Sequence, residues 1–136
     1  MNRTVLVLVD DLFWRTKIDH AVRSAQAPAV FVTDPAALAS AADPDVVGLI
    51  LVDLSIRKEP FTALEALKKS PKTKGIPVVG YYEHVRKDLL EKGKKAGCED
   101  VLTRSVFSEH LGDLVLKYAL PGGIRTESEE PELPEE

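Results

Sequence analysis

At 136 residues, with 44% hydrophobic and 29% charged side chains, the chain has the size and composition of one globular domain and is short for two. Its longest apolar runs, 5–9 and 46–52, are too short to cross a bilayer or to serve as a secretory leader. With Cys98 as the single cysteine, a disulfide framework and a cysteine-built zinc site are excluded, and a cytoplasmic protein is expected. The net charge of −4 hides a tail, 121–136, that carries −5 and a body close to neutral, with an acidic excess over 1–56 and a basic excess over 57–104. That asymmetry fits solvated helix faces better than a nucleic-acid surface.

Residues 4–9 (TVLVLV) are continuously apolar and β-branched, which predicts a strand covered on both faces. Trp14, Ile18, Ala21, Val22 and Ala25 recur at helical spacing and predict the first helix. Residues 29–33 predict a short second strand. Asp34-Pro35 marks a helix start over 35–42, since a carboxylate satisfies free amides and proline suits the first helical position. Residues 46–52 (VVGLILV) predict another buried strand, closed by Asp53, and Phe61, Leu64, Ala66 and Leu67 a helix after Pro60. A fourth strand is expected at 76–79, then a charged helix over 85–95 with Leu89 and Leu90 inward, then a fifth strand at 100–103. Ser108 is expected to cap a last helix that carries Leu111, Leu114, Val115 and Tyr118 and stops at Pro121-Gly122-Gly123.

Short apolar strands alternating with helices, with no hairpin signal between them, predict an α/β fold: one parallel sheet with helices on both faces. In such sheets function collects outside the carboxyl ends of the strands. Those ends carry Asp10-Asp11, Asp53, Tyr81-Tyr82-Glu83-His84 and Arg104-Ser105. Three carboxylates, a cation and several hydroxyls therefore meet at one edge, a hard-oxygen cluster that favours a cation site. Plainer readings exist: Asp10 or Asp11 can cap the first helix, Asp53 can be a turn residue, and Arg104 can be a counter-ion.

These residues, in this order, resemble the receiver domain of two-component response regulators. The resemblance covers about 4–120. It is carried by VLVLVDD after the first strand, LILVDLS around Asp53, GIPVVG in the fourth strand, and KKAGCEDVLTRS from the fourth helix through the fifth strand. It implies a flavodoxin-like, doubly wound five-stranded parallel sheet of order 2-1-3-4-5, with five helices on both faces. It also implies a receiver-like domain over 1–120; the remaining 121–136 is acidic with almost nothing to bury, which predicts a flexible tail. By resemblance, Asp53 is the aspartate that accepts a phosphoryl group from a histidine kinase. Asp10, Asp11, Asp53 and the Ser55 backbone carbonyl match the ligands of a weakly held Mg²⁺. Two positions depart from the pattern. Arg104, followed by Ser105, stands where receivers carry a lysine followed by proline, and Tyr82 stands where they carry a threonine or serine.

The resemblance implies a single-domain signalling protein with no enzymatic role beyond its own phosphorylation and dephosphorylation. It would act through protein–protein contacts with a histidine kinase or another signalling protein, or as a homodimer. Tyr81, His84 and Phe107 are the candidate partner surface. Neither a membrane nor a nucleic acid is an expected partner. Two alternatives stand beside this: a pseudo-receiver docking or dimerisation module that is never phosphorylated, and a small Mg²⁺-dependent phosphoester hydrolase. The hydrolase is disfavoured because the sequence shows no obvious general base, nucleophile or substrate loop.

Overall fold

The computed structural model describes residues 2–119. Strands β1 (Thr4–Leu8), β2 (Ala29–Val32), β3 (Val47–Asp53), β4 (Val78–Tyr82) and β5 (Asp100–Thr103) form one sheet, in the order β2-β1-β3-β4-β5 and parallel throughout. Between them run α1 (Leu12–Ser24), a 3₁₀ turn (Pro35–Ala37) leading into α2 (Leu38–Ala41), α3 (Phe61–Lys69) and α4 (Lys87–Ala96), with α5 (Arg104–Ala119) last. This is the predicted doubly wound architecture and strand order. No described helix is long and apolar enough to cross a membrane. The proposed helix stop at 121–123 and the acidic tail lie outside the described residues.

The continuous apolar runs are explained by a core on each face of the sheet. Val5, Val7, Leu49, Leu51, Val79 and Tyr81 point toward α1 and α5, where Trp14, Ile18, Val22, Phe107, Leu111 and Leu114 complete one cluster. Leu6, Leu8, Ile50, Val52, Val78 and Tyr82 point the other way, into a cluster closed by Leu38, Leu64, Leu67 and Leu89. Each such side chain contributes about 1.5–3 kcal/mol when taken out of water, so burial on two faces outweighs any local propensity.

Several expected boundaries move: the helix expected over 85–95 runs Lys87–Ala96, the one expected over 35–42 is divided into the 3₁₀ turn and α2, and two further shifts bear on the carboxyl edge. The fourth strand begins and ends later than the predicted 76–79, running Val78–Tyr82. Pro77 has no amide to give a ladder and contributes only its carbonyl, which accepts from the Ile50 amide at 2.9 Å. The strand then continues through Gly80, where a side chain would meet Leu54 Cδ1 at 2.9 Å. Tyr81 and Tyr82 are thus members of the sheet and not of the loop beyond it. The last helix starts at Arg104, with no gap after β5, so Ser108 lies inside it and caps nothing. Thr103 takes that part, its hydroxyl accepting from the Val106 amide at 3.4 Å.

Gly48 sits where α5 returns across β3. A Cβ there would stand 2.8 Å from both the Tyr118 carbonyl oxygen and Arg3 Cβ. The carbonyl is main chain and cannot swing aside, so Gly48→Ala should lower stability by roughly 1–3 kcal/mol. Gly75→Ala, with nothing within 4 Å of its added carbon, should stay within about 0.5 kcal/mol of the parent. Urea denaturation midpoints of the two variants provide the comparison.

Candidate functional site

The carboxyl edge of the sheet gathers its polar groups for a local reason at each strand. Beyond β1 the apolar run ends in Val9, and Asp10 and Asp11 emerge exposed. Asp11 caps α1, its carboxylate accepting from the Trp14 amide at 3.1 Å. Asp10 Oδ2 accepts from the Arg57 amide at 3.4 Å, which ties the β3–α3 loop to the first strand. Asp53 is the last residue of β3 and only 2% exposed. Its Oδ1 accepts from the Ser55 amide at 2.9 Å.

Burial pushes the Asp53 carboxyl above its ordinary range; the Ser55 hydrogen bond and the Arg104 charge oppose this, while Asp10 and Asp11 add to it. The four predicted charged residues therefore share one electrostatic neighbourhood. Among the described residues, no three His, Cys, Asp or Glu side chains close on a single metal position. Each of the three aspartates is already held by a backbone amide. The donor chemistry nonetheless suits a hard cation: three carboxylates with no nitrogen or sulfur ligand, and mutual repulsion that a divalent ion would relieve. A loosely coordinated ion that keeps most of its water matches such a set better than a closed cage.

Beside the acids opens a cleft of about 620 Å³ lined by Asp10, Asp11, Asp34, Ser55, Arg57 and Lys58, among others. Lys58 Nζ meets Asp34 Oδ2 across it at 2.8 Å and holds that carboxyl below its usual range.

Arg104, at the first position of α5, lies near Asp53 without pairing to it. Its guanidinium reaches Glu83 at 3.8 Å and stands 5.9 Å from the Trp14 ring centroid.

Comparison with solved structures shows which fold this edge belongs to. The receiver domain of the sensor histidine kinase PA1611 from Pseudomonas aeruginosa PAO1, solved with magnesium coordinated in its active-site cleft, aligns with a TM-score of 0.75. The match has 17% identity and covers 87% of this chain and 98% of that one. The chemotaxis response regulator CheY4 of Vibrio cholerae aligns at 0.71 with 20% identity, over 85% and 97% of the two chains. The Mn²⁺-bound response regulator Rcp1 aligns at 0.64 with 21% identity, over 83% and 88%. This chain has the receiver-domain fold. No family model and no curated protein matches the sequence.

Within that receiver fold, several site expectations need correcting. Tyr82, expected to hold the place of the short hydroxyl residue, is buried in the cluster on the α2, α3 and α4 face. Asp53 is paired in register with Tyr81, and side chains of paired residues in a parallel sheet share a face. The tyrosine beside the carboxylate is therefore Tyr81. Tyr81 and Phe107 cannot present a partner surface: both are 0% exposed, stacked at 4.2 Å with their rings 11° apart. Burial of two large rings between β4 and α5 outweighs their exposure. Of the three residues expected to meet a partner, only His84 is exposed.

The exposed apolar groups at this edge are instead Leu12 (77%), Phe13 (66%) and Val85 (65%). The first two lie off the Trp14, Ile18 and Val22 stripe of α1, so helical spacing alone would have marked them as outward.

A raised carboxyl binds its proton more tightly in the folded state than in the unfolded one. Stability from this source is complete below the ordinary Asp value of 3.8 and is lost as pH rises through the folded value. Asp53→Asn keeps the neutral shape. It should therefore be more stable than the parent at neutral pH, with the difference closing as the pH approaches 3.8. Urea denaturation in metal-free buffer across that range measures it.

Proposed function

We propose that this chain is a receiver-type signalling module in which Asp53 accepts a phosphoryl group from a histidine kinase, acting through protein–protein contacts in the cytoplasm. The observation that supports this best is Asp53 itself. It is a buried carboxylate at the end of the central strand of a receiver fold, within the fields of Asp10, Asp11 and Arg104.

In the transfer, an Asp53 carboxylate oxygen attacks phosphorus, the bond to the donor imidazole nitrogen breaks, and that nitrogen is left to take up a proton. Asp10, Asp11, Asp53 and the Ser55 carbonyl are the groups that would hold Mg²⁺. Bound there, the ion offsets the repulsion between these carboxylates and the incoming phosphoryl oxygens. Arg104 supplies the positive charge that a lysine supplies in the usual pattern, as a planar fork instead of a point charge.

The alternative is a docking or dimerisation module that is never phosphorylated. One observation favours it: Arg104 is engaged with Glu83 and Trp14 and not with Asp53.

A small acyl phosphodonor with millimolar Mg²⁺ should add the mass of one phosphoryl group, and Asp53→Asn should abolish the addition. An unmodified wild type under conditions that modify Arg104→Lys would establish the docking module instead. Addition that persists in Asp53→Asn would overturn both the phosphoacceptor and the site. Trp14, 9% exposed and next to the acids, should report Mg²⁺ alone by fluorescence, with the response lost in the double variant Asp11→Asn, Asp53→Asn.

A further inference from the structure

Three buried side-chain polar atoms among the described residues have no hydrogen-bond partner: Ser55 Oγ, Tyr81 Oη and Arg104 Nε. A buried donor without a partner is costly and rare, and each case asks for an explanation. These three belong to one place. Ser55 gives its amide to Asp53. Tyr81 is the register partner of Asp53 on β4. Arg104 opens α5 at the end of the next strand and places its charge in the field of Asp53. All three can donate a hydrogen bond, and each sits on a residue tied to Asp53 by a backbone hydrogen bond, by strand register or by charge.

The Tyr81 ring is fixed. Phe107 stacks on it at 4.2 Å with an interplanar angle of 11°, and Trp14 lies against it at 5.3 Å and 38°. The ring has no exposed surface, so its hydroxyl occupies one position without further ordering. A phenol carries its proton at neutral pH and is therefore available as a donor.

We propose that Tyr81 is a positioning residue for an oxyanion formed on Asp53, its clamped hydroxyl donating to that group together with Ser55 Oγ and Arg104. This rests on the reading of Asp53 as the phosphoacceptor. It places the hydroxyl one residue earlier in the chain than the sequence pattern does, and on the opposite face of the sheet from Tyr82. The ring contacts then link the state of Asp53 to α1 through Trp14 and to α5 through Phe107.

The test uses the full chain with beryllofluoride and Mg²⁺ as the phosphoryl mimic, and affinity measured by calorimetry. A hydrogen bond from Tyr81 to a charged group is worth about tenfold in affinity. Tyr81→Phe should therefore bind about tenfold more weakly, while Tyr82→Phe stays within about twofold. A structural role alone would leave affinity unchanged. Tyr81→Phe removes an unpartnered buried hydroxyl, so its melting temperature should hold or rise. Equal affinity of Tyr81→Phe and wild type, or a loss confined to Tyr82→Phe, overturns the role of Tyr81 and leaves the phosphoacceptor intact. Absence of binding by the wild type, or undiminished binding by Asp53→Asn, overturns the phosphoacceptor and the role of Tyr81 with it.

A second measurement removes no group from Tyr81. With 3-fluorotyrosine at the three tyrosines, assigned through Tyr82→Phe and Tyr118→Phe, the Tyr81 resonance should move most when the mimic binds. A larger shift at Tyr82 overturns the proposal.

Discussion

The carboxylate that ends β3 constrains everything around it. All seven residues of that strand are buried, and a charge in such a position is tolerated only when neutralised, hydrogen-bonded or opposed by another charge. The structure uses part of each remedy. The Ser55 amide holds one oxygen, Arg104 supplies a nearby but unpaired positive charge, and burial favours the neutral acid. Asp10 and Asp11, both exposed, worsen the problem. The edge is therefore left short of positive charge by design of its geometry, which is the condition under which a divalent cation stabilises a site most.

Strand parity decides what else Asp53 can influence. Residues 49, 51 and 53 of β3 face α1 and α5, while Leu54, just past the strand, packs under Gly80 and Gly93 on the α4 side. Two packed layers thus meet within two residues of chain. On one, stacked rings fill the space between β4 and α5. On the other, Leu54 occupies room made by two glycines, a Cβ on either of which would come within 2.9 Å of it. Close-packed layers transmit displacement because they have no slack to absorb it.

Much of this was legible in the sequence, and the limits have physical causes. Burial on both faces writes continuous apolar runs, and an acid that interrupts such a run stands out, so β1, β3 and the positions of Asp10, Asp11 and Asp53 could be read directly. The adjacent Tyr81 and Tyr82 could not be separated by composition or motif. A period of two puts them on opposite faces, but which one meets Asp53 depends on the pairing of Ile50 with Val78 and Asp53 with Tyr81, a long-range register. The start of α5 was missed because Ser108 is a good local cap. The chain leaving β5 enters the helix at once, and Thr103 serves in its place. Phe107 carried a usable signal, since 107, 111, 114 and 115 follow helical spacing. Extending the stripe back by one turn would have placed its ring in the core.

Arginine in place of lysine need not leave the edge inert. The bond from Arg104 to Glu83 spans 3.8 Å between side chains that are 32% and 51% exposed. Pairs of that kind contribute about 0–1 kcal/mol, because water competes for both partners. The contact over the Trp14 ring, at 5.9 Å, lies at the outer limit of useful cation–π attraction. Neither interaction holds the guanidinium strongly. A group carrying two charges on Asp53 would meet the same side chain at a far more buried position, where screening is weaker and a planar fork can grip two oxygens together. A conformational equilibrium moves only by the difference in interaction between its two states. Here that difference is set less by which cation stands at position 104 than by how little Arg104 gives up when it leaves Glu83.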